Sequence, residues 1–287
     1  MEPAADISRF PSVHDPHTAD TLLSKSLASA QVYEVTNSTP SPQPVPSPGC
    51  KNFVLNPSLI TSDFDALRFK AAAYNQLPFP DSRSATPISG SDSDSYSPSP
   101  AHSNLLISSP YNNPGHYLDL LTLPLPSRLF ALALTALRPV HDNYVAAAFT
   151  QSLDFDAVLG VLRQLVVREE VTWKETSFYV VLFRSQLRQG VDQEWLYKLD
   201  YESHREACES GGLLKYWFGK ADLEGERRNL ATCFWHSRED AYKGGLGPWH
   251  KKARQAGREL YESIVFSTHR FTIMNGAEEY RFEDWRD

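Results

Sequence analysis

The distribution of proline and tryptophan divides this chain into two physically different parts. Eighteen of the twenty prolines lie before residue 127, whereas all six tryptophans lie after it. Proline removes a backbone hydrogen-bond donor and fixes φ, while tryptophan carries a large apolar surface that favours burial. We therefore expect residues 1–120 to be a largely disordered Ser/Pro-rich region and residues 121–287 to be an α+β domain with its own core.

The first part contains one segment with helical potential. Two low-complexity stretches, 37–49 and 84–100, have too few apolar groups to offset the entropy that ordering would cost. Between them, Asp63 is a suitable N-cap for a short helix over residues 63–75. Two interpretations remain open: the helix is transient, or it docks onto the second half of the chain or onto a partner.

Charge and hydropathy exclude several classes of function. The net charge is −7, and neither half is basic: residues 1–126 carry six Lys/Arg against eleven Asp/Glu, and residues 127–287 carry twenty-two against twenty-four. We therefore expect no nucleic-acid partner. No apolar run is long enough to cross a membrane, and the start lacks an apolar leader, so we expect a cytoplasmic or nuclear location. Cys208 and Cys233 are then expected to be free thiols.

The second part alternates between strand-like and helix-like segments. Strands are predicted at 128–140, 173–187 and 230–237, followed by a hairpin over 265–285. Helices are predicted at 154–170, as a pair within 192–212, and at 248–264. This order predicts an α+β ferredoxin-like sandwich with a helical insert at 192–220. Such a sandwich has helices on one sheet face only, so a second subunit, another segment or a ligand must cover the other face.

Residues 230–254, LATCFWHSREDAYKGGLGPWHKKAR, combine cysteine, histidine and tryptophan. Alternation along the strand places Cys233 and Trp235 on one face and His236 on the other, and Ser237 then begins a helix. A metal site needs three or four convergent ligands, and this segment has neither CxxC nor HxxxH spacing. No GxGxxG or P-loop motif is present either. We therefore expect no metal and no nucleotide cofactor.

His250 is the strongest candidate for a functional side chain. It lies in the first turn of the helix that starts at Pro248, beside the glycine-rich loop KGGLG, where a neutral imidazole could act as a general base or a ligand contact. The alternative is a boundary histidine that only bonds the loop backbone. His204 is interpreted as part of a helix-surface pair with Asp200. Beside His250, the candidate catalytic residues are His236 and His269. The candidate pocket walls are Trp235, Trp249 and Tyr216.

Two resemblances add to this interpretation. The string SGGLLKYWFGK … NLATCFWHSREDA … GPWHKKAR … FSTHRF resembles an uncharacterised fungal protein family, which implies no particular reaction. The W-x-S-x-E strand end, Trp235 to Glu239, is similar more distantly to the dimeric α/β-barrel superfamily. That resemblance implies small hydrophobic ligands, subunits paired through open sheet faces as a homodimer, and cofactor-independent oxygenase, isomerase or dehydratase activity, of a kind used in fungal secondary metabolism.

Two functional hypotheses follow. The first is a small-molecule-binding protein that is also a metal- and nucleotide-independent enzyme of the dimeric α/β-barrel type. The second is a non-catalytic binding or scaffold protein that is regulated through its disordered N-terminus. An enclosed pocket where histidines converge favours the first, and a solid core with solvent-facing histidines favours the second.

Overall fold

Two antiparallel β-sheets and a set of α-helices make up residues 63–69, 76–78 and 102–286, the part of the chain that a computed structural model describes. The strands are β1 (Gln76–Pro78), β2 (His102–Ile107), β3 (Tyr117–Asp119), β4 (Thr176–Leu187), β5 (Leu213–Phe218), β6 (Arg228–Trp235), β7 (Tyr261–Ile273) and β8 (Tyr280–Asp284). The α-helices are α1 (Phe64–Phe69), α2 (Leu125–Ala133), α3 (Phe149–Ser152), α4 (Phe155–Arg168), α5 (Gln193–Ser210), α6 (Arg238–Gly244) and α7 (Pro248–Leu260). Short 3₁₀ turns lie at Leu120–Thr122, Leu134–Ala136, Asp142–Val145 and Asn275–Ala277.

The larger sheet has the strand order β5-β6-β4-β7-β8, and every neighbouring pair is antiparallel. Along the chain, β4, α5, β5, β6, the α6–α7 pair and β7 form a β-α-β-β-α-β unit. Its strands stand in the spatial order second, third, first, fourth, which is the ferredoxin-like arrangement. The predicted α+β ferredoxin-like fold is therefore confirmed. The helix in residues 192–220 is α5, the first crossover helix of this unit.

Both faces of the sheet are covered by the same chain. Along β4, Phe178, Val180 and Leu182 belong to the core that α2 and α4 form with the sheet. The alternate residues Tyr179, Val181 and Phe183 face Tyr197 and Ala207 of α5. Of the three ways to cover the second face that the sequence left open, another segment of the same chain is the one observed.

The strand predicted at 128–140 is wrong. These residues form most of α2 and the following 3₁₀ turn, Leu134–Ala136. Pro124 and Pro126 lie at the helix start, where proline is well tolerated. Residues 129–134 are all almost fully buried, so the segment is apolar on every side and shows no helical period. A run of that kind cannot be told from a buried strand by its pattern.

The other helices begin where the sequence places them. The side chains of Asp154 and Asp192 accept from the backbone N–H groups of Ala157 and Trp195, both at 2.9 Å. The Ser237 hydroxyl accepts from the Asp240 N–H at 3.1 Å. The predicted pair within 192–212 is wrong, however, because α5 is one continuous helix of 18 residues.

The short helix predicted over 63–75 occupies Phe64–Phe69 and docks onto the folded half. Asp63 accepts from the Ala66 N–H at 2.9 Å, as a cap does. Phe64, Leu67 and Arg68 are buried, and the Trp217 indole N–H donates to the Arg68 carbonyl at 2.7 Å. Of the two interpretations of this segment, docking onto the second half is the one that the structure shows.

Packed structure is also present before residue 121. Strands β2 and β3 precede this residue, and Leu106 of β2 and Tyr111 and His116 of the following loop have no exposed surface. These residues pack into the domain because tyrosine and histidine at these positions bond groups on α5, as shown below. The remaining predictions for residues 1–62, 70–75 and 79–101 lie outside the described residues.

Candidate functional site

A cavity of about 620 Å³ lies between α5 and the adjacent face of the five-stranded sheet. The sheet supplies a floor that is mainly aromatic: Tyr179, Val181, Phe183, Tyr216, Cys233, Trp235 and Phe266. Helix α6 lines one end, where the Tyr242 side chain is 56% exposed, and His250 enters from the first turn of α7. The volume is in the range of small-molecule sites, roughly 300–1,000 Å³.

The roof of the cavity is one stripe of α5. Asp200, Ser203, His204 and Ala207 line the cavity at spacings of three, four and seven residues, which places them on one helix face. Three of the four are polar, and all are buried. Polar groups therefore converge on an otherwise apolar space, as in ligand sites generally.

Glu206, which also belongs to α5, forms hydrogen bonds with His250. The carboxylate accepts from the Trp249 N–H at 2.7 Å and from the His250 N–H at 3.0 Å, and His250 Nδ1 lies 3.0 Å from Glu206 Oε2. Glu206 thus caps the exposed amides of α7 and orients the imidazole at once. Burial pushes the pKa of Glu206 upward, but the bonds from the His250 ring and the two amides outweigh it, so the pKa lies below its usual value.

Two glycines make room for this arrangement. A side chain at Gly247 would overlap the Glu206 carboxylate, and one at Gly244 would overlap the Trp235 ring. Glu206 and Trp235 therefore fill the space beside these two glycines. Gly245 of the same loop does line the cavity.

Asp200 lies at the centre of a buried hydrogen-bond network. Tyr216 donates to its Oδ1 at 2.6 Å, and Tyr111 donates to its Oδ2. Burial, followed by the negative charge of Asp200, raises the pKa of Tyr111 well above its usual value, so this hydroxyl remains a donor. Asp200 is 5% exposed because it lies on the face of α5 that packs over the sheet, in contact with Tyr111 and Tyr216.

A buried histidine pair adjoins the same network. Nδ1 of His116 and Nδ1 of His204 are 2.8 Å apart, so one ring donates to the other. Burial, together with the positive charge of Arg205, lowers the pKa of His116 to about 3. Burial also lowers the pKa of His204 well below its usual value, with smaller contributions from His116 and His250. The interpretation of His204 as a surface residue is wrong, because the loop before β3 covers it.

The predicted site residues separate into two groups. His250, Trp235 and Tyr216 line the cavity. His236 and His269 do not: His236 Nδ1 lies 2.6 Å from the Ser127 hydroxyl of α2, and His269 stacks on Phe282 at 4.4 Å. The Trp249 ring is also absent from the lining and instead contacts Lys252, whose Nζ is 3.8 Å from the ring centroid.

Sequence reasoning missed Asp200, Ser203 and His204 as cavity residues, and Glu206 as the partner of His250. Their common signal is the polar stripe on a helix that otherwise packs against an apolar sheet, and it becomes visible only if 192–212 is taken as one helix. Among the residues described, no group of three or more His, Cys, Asp and Glu side chains could hold a metal ion. Cys208 and Cys233 are free thiols, and burial raises the pKa of each.

Comparison with known proteins identifies the family. The family model described as PB2B2.08-like matches residues 107–284, which contain the whole cavity. The chain belongs to the PB2B2.08-like family. A relative from Schizosaccharomyces pombe (strain 972), "UPF0643 protein PB2B2.08", is 34% identical over 183 residues, which are 61% of this chain and 82% of the relative. This family membership confirms the resemblance to a fungal family.

The solved structures compared with this chain are similar to about a third of it. Rv0793 from Mycobacterium tuberculosis has a TM-score of 0.28 at 14% identity and covers 32% of this chain and 91% of its own. SnoaB from Streptomyces nogalater, described as a cofactor-independent oxygenase, has a TM-score of 0.28 at 11% identity and covers 33% and 91%. The fold assignment rests on the strand order given above. Within the described segments, no helix is both long and apolar enough to span a membrane.

Proposed function

We propose that this protein binds a small, largely apolar molecule in the cavity under α5 and that the His250–Glu206 pair exchanges a proton with it. The observation that carries the proposal is the histidine–carboxylate pair at the wall of an aromatic cavity of about 620 Å³. A base that is oriented by a carboxylate beside a ligand-sized space is a common basis for general acid–base chemistry.

The hydrogen bonds define how the imidazole would act. Glu206 accepts hydrogen bonds from two backbone N–H groups, and its pKa is lowered. It therefore also accepts a hydrogen bond from the imidazole ring. Nδ1 of His250 is then the donor nitrogen, and Nε2 carries the lone pair of the neutral ring. Such a nitrogen can remove a proton from a bound molecule and return it elsewhere. Isomerisation and dehydration are reaction types that use such a proton transfer. They can proceed without a metal or a nucleotide cofactor.

Native mass spectrometry of the purified full chain tests the proposal. We expect a retained small molecule in the wild type and its loss in His250→Ala, with a change in unfolding free energy below about 1 kcal/mol for this partly buried side chain. The matched control is His141→Ala, because His141 is exposed and does not line the cavity. Equal retention by His250→Ala and the wild type would show that the His250 side chain is not needed for ligand binding.

We also propose a reducing compartment, the cytoplasm or the nucleus, as the place of action. The support is that Cys208 and Cys233 are free rather than paired. A reporter fusion of the full chain, imaged in fungal cells, should show diffuse cytoplasmic or nuclear signal.

A further inference from the structure

The roof of the cavity offers hydrogen-bond acceptors. Asp200 presents a buried carboxylate to the cavity, and the hydroxyls of Tyr111 and Tyr216 bond to its two different oxygens. Ser203, one turn along α5, also lines the cavity, and its buried hydroxyl has no hydrogen-bond partner in the described structure. A buried polar atom of this kind is destabilising unless it finds a partner.

The roof of the cavity carries an acidic side chain, Asp200. Burial, followed by the negative charge of Asp200, raises the pKa of the Cys233 thiol on the floor, so this thiol is neutral. Burial keeps His204 neutral by lowering its pKa. Arg238 and Glu239 of α6 line the exposed end with opposite charges. Asp200 is the acidic residue of the α5 stripe, and a carboxylate attracts positive charge and repels negative charge.

The floor adds a second feature that suits a cation. Tyr179, Phe183, Tyr216, Trp235 and Phe266 are aromatic and lie under the polar stripe. Aromatic ring faces carry partial negative charge and attract ammonium groups, especially where water is excluded. The same rings give a flat apolar ligand body a large contact area.

We infer that the cavity takes an arylalkyl amine, in which a short alkyl chain joins the amine to an aromatic ring, and that its ammonium group binds Asp200 and the Ser203 hydroxyl while its ring lies against the aromatic floor. This inference rests on the proposed function, because it names the class of small molecule for the same cavity. It excludes carboxylates and phosphates of the same shape, since their charge would meet the Asp200 carboxylate in a buried site.

Three indole compounds that differ in charge test the inference on the full chain: tryptamine is a cation, tryptophol is neutral and indole-3-acetate is an anion. Affinities are measured by ligand-observed NMR at pH 7. We expect tryptamine to bind about tenfold more tightly than tryptophol, because a charge-assisted hydrogen bond is about twice as strong as a neutral one. Indole-3-acetate should bind most weakly of the three.

Asp200→Asn should lower tryptamine affinity to that of tryptophol and leave tryptophol unchanged. Glu194→Gln is the matched control, since it removes the same charge from an exposed position of α5 and should change nothing. If Asp200→Asn does not fold, Ser203→Ala takes its place, with a several-fold loss of tryptamine affinity expected.

The outcomes separate this inference from the proposed function. If tryptophol or indole-3-acetate binds as tightly as tryptamine, the amine inference is overturned, but binding of small molecules in the cavity stands. If none of the three binds to the folded chain, the amine inference also fails. The proposed function is then decided separately, by whether native mass spectrometry detects a retained molecule of another class.

Discussion

The side chains around the cavity meet across long distances in the sequence. Tyr111 and Asp200 are 89 residues apart, and His116 and His204 are 88 apart. His250 could be singled out because a helix start and a proline mark it locally. Asp200 and His204 could not, because their surroundings are set by the loop before β3, which the sequence assigns to a disordered region. Local patterns predict which face of an element a residue occupies, but not which distant group will pair with it.

At the residue scale, the His116–His204 pair should make stability depend on pH. Both pKa values are lowered in the folded protein, so between the folded values and about 6.5 the unfolded chain binds more protons. Stability is therefore fully present above pH 6.5 and falls as the pH decreases below it. We expect a slope of up to about 1.4 kcal/mol per pH unit for each histidine. Urea unfolding between pH 5 and 6.5 measures this slope.

The matched variants for this slope are His204→Asn, whose amide can replace Nδ1, and His141→Gln at an exposed position. The first should flatten the slope by the contribution of one histidine, and the second should leave it unchanged. A wild-type free energy that stays constant from pH 6.5 to pH 5 would contradict this account of the buried pair.

A second prediction at this scale concerns Gly247. A methyl group there would displace the Glu206 carboxylate and remove its bonds to the α7 amides and to His250. We expect Gly247→Ala to cost about 1–2 kcal/mol, the value of a lost cap. Gly160→Ala in α4 has open space and should instead stabilise the protein by about 0.5–1 kcal/mol. Chemical denaturation of both variants is the measurement, and equal effects would argue against the capping role.

At the scale of elements, the sequence predicts best where the signal is local. The starts of α4, α5, α6 and α7 follow from a capping side chain or a proline. The strand faces of β6 also follow from alternation, because Leu230 and Phe234 pack with α2 and α4 while Ala231 and Trp235 face the cavity side. Helix α2 was missed because its residues 129–133 are all buried and apolar, so this part lacks the polar face that marks a helix.

The docking of α1 gives a prediction for this scale. Leu67 is buried against Ile107, whereas Leu121 is 65% exposed. We expect Leu67→Ala to destabilise the protein by about 2 kcal/mol or more and to expose residues 63–69 to proteolysis. Leu121→Ala makes the same chemical change and should stay within about 0.5 kcal/mol of the wild type. If Leu67→Ala behaves like Leu121→Ala, the helix does not stay docked in solution.

At the scale of the whole molecule, the helices that cover the sheet affect whether two copies of the chain can form a dimer. The sheet face opposite α5 is buried under α2 and α4, so it is not available to a second copy of the chain. We therefore expect light scattering after size exclusion to report the mass of one chain at micromolar concentration. If the measured mass is that of two chains, β7 is the candidate contact, because its Val265 is 62% exposed. In that case, Val265→Lys should dissociate the pair if this strand forms the contact.

Because α2 and α4 belong to the same polypeptide as the sheet, the protein covers this sheet face intramolecularly. Covering the sheet then follows first-order kinetics, so dilution cannot uncover it. A single copy of the chain, present at any cellular abundance, has the same cavity ready for a ligand. Changes in expression level should therefore alter how many sites exist but not the affinity of each one.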